Sequence, residues 1–208
     1  MGSALDVTER GETIYLETHL TPSASCTLVL DRQLAVKAAL SGWLLGFVND
    51  RYAVFHESMI HFATTHPMSV SVYDTVAGRS TRLYPLAGDR LRAEYARALD
   101  AHLPSRSWCR INNVPCRASD FTSDVEPQGH DTSFLQVNDG ARAFGFEAEF
   151  TPEGFGPAAQ EAAGNRIVDY VFLLRGGRWV YRDYTPAELQ ARFKATTLAA
   201  YVRSIPPL

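Results

Sequence analysis

The sequence predicts an α+β fold, mainly antiparallel β meander and hairpins with two or three helices, the last of them C-terminal. Three observations carry that expectation. Apolar and polar residues alternate through short runs, the period-2 signature of half-buried strands. Turn chemistry separates the runs, at Asn49-Asp50, Ala77-Gly78, Asn138-Asp139-Gly140 and Gly176-Gly177. Helical signals with caps are confined to 89–102 and 186–203,.

Taken in order, Ile14, Leu16, Thr18 and Leu20 alternate with Tyr15, Glu17 and His19 and read as a strand. Cys26 to Leu30 is a second β-type run, closing on Asp31. Trp43 to Val48 and Tyr52 to Phe55 flank Asn49-Asp50, two residues that tolerate positive φ and so suit a hairpin turn,. Met68 to Tyr73 alternates again and meets Asp74, and Leu83-Tyr84 ends at Pro85. Asp89 is placed to cap a helix to about His102, with Leu91, Tyr95, Leu99 and Leu103 on one face and Pro104 as its stop,. Ser105 to Asp131 is irregular and polar, with few core candidates beyond Trp108, Ile111 and Phe121, and reads as a long ordered loop,.

Strands return at Phe134–Val137 and Ala143–Phe150, and Ile167–Leu174 with Trp179–Tyr181 forms the clearest hairpin,. Pro157 to Gly164 is Ala-rich, a short helix or a flexible segment. In the last helix Thr185 is the N-cap, Pro186 the first helical residue and Glu188 the partner in a capping box,. Leu189, Phe193 and Ala200 are expected to face inward, with the end before Pro206-Pro207. One domain over 1–208 is expected, β-rich at 12–85, helix and loop at 86–132, hairpins and helix at 133–208.

Composition narrows the function classes. Of the 208 residues 46% are hydrophobic and 21% charged, an ordinary globular balance that can bury a core without metals or disulfides as staples,. A net charge of −3 carries no basic surplus, so nucleic acid is not an expected partner,. No apolar run approaches the roughly 18 residues of a membrane helix, so no membrane span is expected. The start, Met1-Gly2-Ser3-Ala4-Leu5-Asp6, lacks the features of a secretory signal, which suits a cytoplasmic protein or a mature fragment,.

Cys109 and Cys116 enclose a short segment with Pro115 at its end. A disulfide there needs Cα atoms within about 7 Å and would point to an oxidising, extracytoplasmic location. Two half-buried thiols in a reduced cytosolic protein is the alternative. Zinc is not expected, since no C-x-x-C pair is present.

Reactive side chains cluster in two places. His56-Glu57, His61 and His66 are three imidazoles, the side chain most used for transition metals,. Intervals of five residues set successive rings on opposite faces of a strand. Only a tight turn at Thr64-Thr65 joins His61 to His66, and packing beside Phe55, Met59 and Phe62 is the competing account. His130-Asp131 is a weak catalytic candidate, a general base with a Ser or Cys nucleophile, against the simpler reading of a turn,. No G-x-S-x-G or H-E-x-x-H is present, and no phosphate-binding glycine loop, so no cofactor is expected,. Glu147 and Glu149 share a strand face expected to be solvated. The aromatics Trp43, Phe47, Trp108, Phe144, Phe146, Trp179 and Tyr181 are expected in the core.

One repeat stands out. Thr27-Leu28-Val29-Leu30-Asp31 and Ser71-Val72-Tyr73-Asp74 are apolar strands ending on Asp, 43 positions apart (74 minus 31), close to the period of four-stranded propeller blades,. With the strand–turn–strand at 42–55, residues 42–85 resemble a blade of the TolB-like β-propeller type. In such a blade a hairpin with a turn Asp precedes a strand ending in Tyr-Asp and a last strand after a Gly. The usual Ser-Pro-Asp-Gly turn is replaced here by Val48-Asn49-Asp50-Arg51. The resemblance implies blade-like strand order and not closure, for which at least four blades are needed. A generic antiparallel meander accounts for the same residues.

These readings lead to a binding or interaction module without an evident catalytic centre, its partner a protein or a small molecule. The alternatives are a small metal-dependent or His-based hydrolase using His56, His61, His66 or His130, and a degenerate propeller fragment whose partner strands lie elsewhere.

Overall fold

The computed structural model of the protein describes residues 5–21, 24–57, 69–84, 86, 88–91, 93–95, 97, 110–111, 114–115, 122–126, 142–151, 161 and 164–207. The strand expected at 134–137, its turn at 138–140 and most of 157–164 lie outside the described residues. Among those described, the chain forms three four-stranded antiparallel sheets and a two-stranded ribbon. The mainly antiparallel α+β architecture with a C-terminal helix therefore holds.

The first sheet runs β1 (Leu5–Arg10), β2 (Thr13–Thr21), β3 (Ala24–Asp31) and β4 (Val36–Ser41), in that order. The β region thus opens at Leu5 and not at 12. The second sheet is β5 (Trp43–Val48), β6 (Tyr52–Glu57), β7 (Ser69–Asp74) and β8 (Arg79–Tyr84), again in chain order. A ribbon pairs β9 (Arg110–Ile111) with β10 (Val114–Pro115). The third sheet is β11 (Thr122–Glu126), β12 (Ala143–Thr151), β13 (Arg166–Arg175) and β14 (Arg178–Tyr184). So the segment expected as irregular loop contributes strands, one of them an edge of the third sheet.

The 43-residue spacing is structural. Strands β3 and β7 end at Asp31 and Asp74, and β4 and β8 begin at 36 and 79, each 43 positions apart. Both carboxylates fold their turn in the same way. Asp31 Oδ1 accepts hydrogen bonds from the Gln33 and Ala35 N–H groups at 3.0 and 2.9 Å, and Asp74 Oδ1 from those of Val76 and Ala77, both at 3.0 Å. Each also holds a cation at 2.7 Å, Lys37 on Asp31 and Arg51 on Asp74. These partners, the cation first, keep both acids below the usual carboxylate range,.

Face alternation in the second sheet decides the packing. Val48, Tyr52, Val54 and Val72 join Phe144, Phe146 and Tyr170 of the third sheet in one buried cluster. On the other face Phe47, Ala53, Phe55 and Tyr73 pack against Tyr15 and Val29 of the first sheet. Edge-on aromatic pairs cross both interfaces, Tyr15 to Phe47 at 5.2 Å and Tyr84 to Phe146 at 5.4 Å,. The second sheet is thus the middle layer of a stack. Of the aromatic set, Trp43, Trp179 and Tyr181 are half-buried rather than fully enclosed, and Trp108 lies outside the described residues.

Helices cover the outer side of the third sheet. The capping box at Thr185 is present, and starts α1 (Pro186–Phe193). The single helix expected over 186–203 is instead two. Lys194, at φ 58°, ends α1 in the left-handed region, and Thr197 caps α2 (Leu198–Ser204),. The break resets the helical phase, so Leu198 and Val202 are buried while Ala200 is exposed; before it Leu189 is buried, and Phe193, at the end of α1, is exposed with its ring stacked on Tyr201. Upstream, residues 90–91, 93–95 and 97 are helical, with Leu91 and Tyr95 buried as their spacing predicts. The Tyr170 hydroxyl donates to the buried Asp89 carboxylate, tying that helix to the third sheet. No described helix is long and apolar enough to cross a membrane.

Helix α2 docks where β12 lacks a side chain. A Cβ on Gly145 would sit 2.9 Å from the Tyr170 carbonyl oxygen and 3.0 Å from methyl carbons of Leu198 and Val202. Gly145→Ala is therefore expected to destabilise the fold by about 2 kcal/mol through overpacking, read from urea unfolding midpoints.

Candidate interaction surface

Cross-strand partners share a sheet face, so the register of the first sheet sorts its side chains. One row across it is Val7, Leu16, Leu28 and Ala39. The flanking rows are Leu5, Thr18, Cys26 and Ser41 on one side and Glu9, Ile14, Leu30 and Val36 on the other. All lie on the face turned away from the second sheet, since Tyr15, Val29, Ala38 and Leu40 occupy the inner one. Glu9 is the only charged residue in those three rows.

Both faces of this sheet carry apolar residues. An antiparallel sheet with one solvated side ordinarily turns polar residues outward. Here the polar members reach towards the stack: Arg10 pairs with Asp50 at 2.7 Å, and a Glu17 carboxylate oxygen accepts the Leu44 N–H at 2.7 Å. On the outward face Leu5, Val7 and Val36 are exposed by 58%, 57% and 61%, while Ile14, Leu16 and Leu28 are half-buried and Leu30 is buried. Strand alternation forces the exchange, because a residue that turns a polar neighbour inward is itself turned outward. Four strands about 4.8 Å apart and about six residues long give a face of roughly 400 Å² in projection. That is the size of the largest apolar patch on a monomer, a size often tied to function.

The other candidate residues are distributed as follows. His56 is buried against Trp43, ring centroids 6.4 Å apart, and its Nε2 has no hydrogen-bond partner among the described residues. Burial pushes its pKa down to about 4,. His61, His66, His130, Asp131, Cys109 and Cys116 lie outside the described residues. No group of three or more His, Cys, Asp or Glu that could hold a metal occurs among the described residues. Cys26 is a free thiol, half-buried on the outward face of the first sheet.

A cleft of about 300 Å³ opens between the Asp31 and Asp74 turns, lined by Glu12, Lys37, Tyr73 and Thr75 among others. Its lysine is already paired with Asp31.

The face expected to be solvated at Glu147 is half-buried, and it adjoins an acid that pattern reasoning missed. Asp169, the register partner of Glu147, is only 3% exposed. The signal was a lone carboxylate inside the apolar run Ile167-Val168-Asp169-Tyr170-Val171-Phe172. Burial, and then the nearby Glu147, push its pKa up to about 7,.

The two shifted groups oppose one another. Native Asp169 binds its proton more tightly than the unfolded chain, so its effect on stability worsens as pH rises from about 4 to about 7,. Native His56 binds its proton less tightly, so its effect improves from about pH 4 to its ordinary value near 6.5,. Asp169→Asn should therefore be more stable than the parent at pH 8 by an amount on the order of 2–4 kcal/mol, a gap that closes towards pH 4. Urea unfolding of both proteins across that range measures it.

No protein-family model, curated protein or solved structure matches this chain.

Proposed function

We propose that the protein is a binding module that engages another protein through the outward face of its first sheet. One observation carries this reading: among the described residues the stack is covered by helices at one end, while Leu5, Val7 and Val36 stand exposed at the other. Stacked repeats need a polar outer layer at each end to stay apart in water, and among the described residues α1 with α2 supply it at the third sheet. The buried setting of His56 beside Trp43 supports a packing role for that imidazole over a hydrolytic one.

The propeller-fragment reading draws on a separate observation, the recurrence of four-stranded meanders with β3–β4 and β7–β8 in 43-residue register. It uses the same face and changes what covers it, to a further blade-like sheet.

An apolar fluorescent dye added to dilute protein tests the shared element. The dye should brighten on the parent and not on Val7→Glu/Val36→Glu, while unfolding midpoints stay within about 0.5 kcal/mol, both sites being mostly solvated. Equal brightening on parent and variant would place the dye elsewhere and defeat the reading.

A further inference from the structure

We infer that the cleft between the Asp31 and Asp74 turns binds a small organic acid, its carboxylate held by Lys37 and Tyr73. The site lies at the junction of the first two sheets and uses none of Leu5, Val7 and Val36 on the outward face.

The cleft carries a polar group that the fold leaves unused. Tyr73 is only 2% exposed, its ring in one cluster with Tyr15, Phe47 and Phe55. Its side chain lines the cleft, and among the described residues its hydroxyl has no hydrogen-bond partner. A buried tyrosine ordinarily finds one. Burial, and then Asp74, hold this phenol above its ordinary pKa, so it keeps its proton to donate,. Lys37 pulls the other way and so lies within electrostatic reach of it.

Lys37 comes to the cleft through a break in the pleat. The β3–β4 register passes from Val29–Ala38 to Leu30–Val36, which leaves Lys37 opposite no residue. Such a bulge re-aims a side chain, a device that recurs beside active sites. An ammonium has three N–H donors, and Asp31 at 2.7 Å takes one of them.

The remaining polar groups select the ligand. Asp31 is spent on Lys37 and on the Gln33 and Ala35 N–H groups. Glu12 pairs with Arg32 at 2.9 Å, and the Thr75 hydroxyl donates to the Arg51 carbonyl. Left over are ammonium donors and a phenol O–H, which fit a group that only accepts, and a carboxylate does so through both oxygens. One ammonium beside two acids suits a single negative charge better than the nearly double charge of a phosphate. Val29, Leu30 and Val76 on the same walls take an apolar body. About 300 Å³ is the small end of ligand pockets, with room for one ring or a short chain,.

Amide NMR of the full chain, titrated with benzoate, tests this. Benzoate should move the Val76, Ala77 and Gly78 signals and saturate with a Kd of about 1 mM or tighter. Benzamide and inorganic phosphate should bind at least about tenfold more weakly. Acetyl-valine presents the same groups as a peptide end, and the tighter of the two acids identifies the source of the carboxylate. Tyr73→Phe should weaken benzoate about tenfold and leave the unfolding midpoint unchanged, because no internal hydrogen bond is lost. Lys37→Gln should weaken it at least as much, and Lys37→Arg should keep most of it. Signals that neither acid moves at up to about 10 mM overturn the inference. So does benzamide or phosphate binding as tightly as benzoate, or benzoate binding that ignores Tyr73→Phe. A lowered midpoint in Tyr73→Phe overturns it too, by showing the hydroxyl already satisfied within the fold.

Discussion

The architecture depends on a sheet that is apolar on both sides. Along β6, Tyr52 and Val54 point to one neighbour and Ala53 and Phe55 to the other, all within a few residues and all buried. A strand with both faces covered has no solvated side on which to place polar residues, and it reads as a continuous apolar run. The outer sheets are then fixed in place by what this middle layer demands. The third brings its aromatic face, and the first brings Tyr15 and Val29. What each has left over becomes the outside of the stack, and the two sheets resolve that differently.

In the third sheet the leftover face is closed by chemistry that ends helices cleanly. Thr185 and Glu188 start α1, Lys194 stops it, and Thr197 starts α2 in a new phase that returns Leu198 and Val202 to the sheet. The acid at Asp169 sits beneath this cover with Glu147 beside it. In the first sheet nothing comparable follows among the described residues, and the leftover face keeps Leu5, Val7 and Val36 in water.

How much of this was legible follows from which signals are local. Gly176 and Gly177 both take positive φ, as a two-residue hairpin turn requires, and Asn49 does the same between β5 and β6,. The capping box, the Leu91–Tyr95 face and the paired Asp turns are equally short-range and were readable. The break at Lys194 was not, because a lysine at φ 58° carries none of the glycine signal that marks such a stop,. Strand β4 was missed because Val36-Lys37-Ala38-Ala39-Leu40-Ser41 is poor in strand-forming residues. Alternation in β2 separated Ile14 and Leu16 from Tyr15 but could not say which set is covered. The covered residue is Tyr15, chosen by Phe47 and Phe55 far along the chain. The candidate surface was hidden for that reason, since outward apolar residues look like core until their sheet is placed. Of the imidazoles, only the burial of His56 could be set beside the expectation.

Meander order has a consequence for synthesis. Each of the first two sheets is assembled from neighbours in sequence, so each can form soon after its own last strand emerges from the ribosome,. The first sheet, complete at Ser41, must wait for β5 to β8 before its inner side is covered, and its outer side gains nothing from them. A nascent chain halted between those points would leave Tyr15 and Val29 on one side and Leu5, Val7 and Val36 on the other in water together, a species for chaperones to shield,.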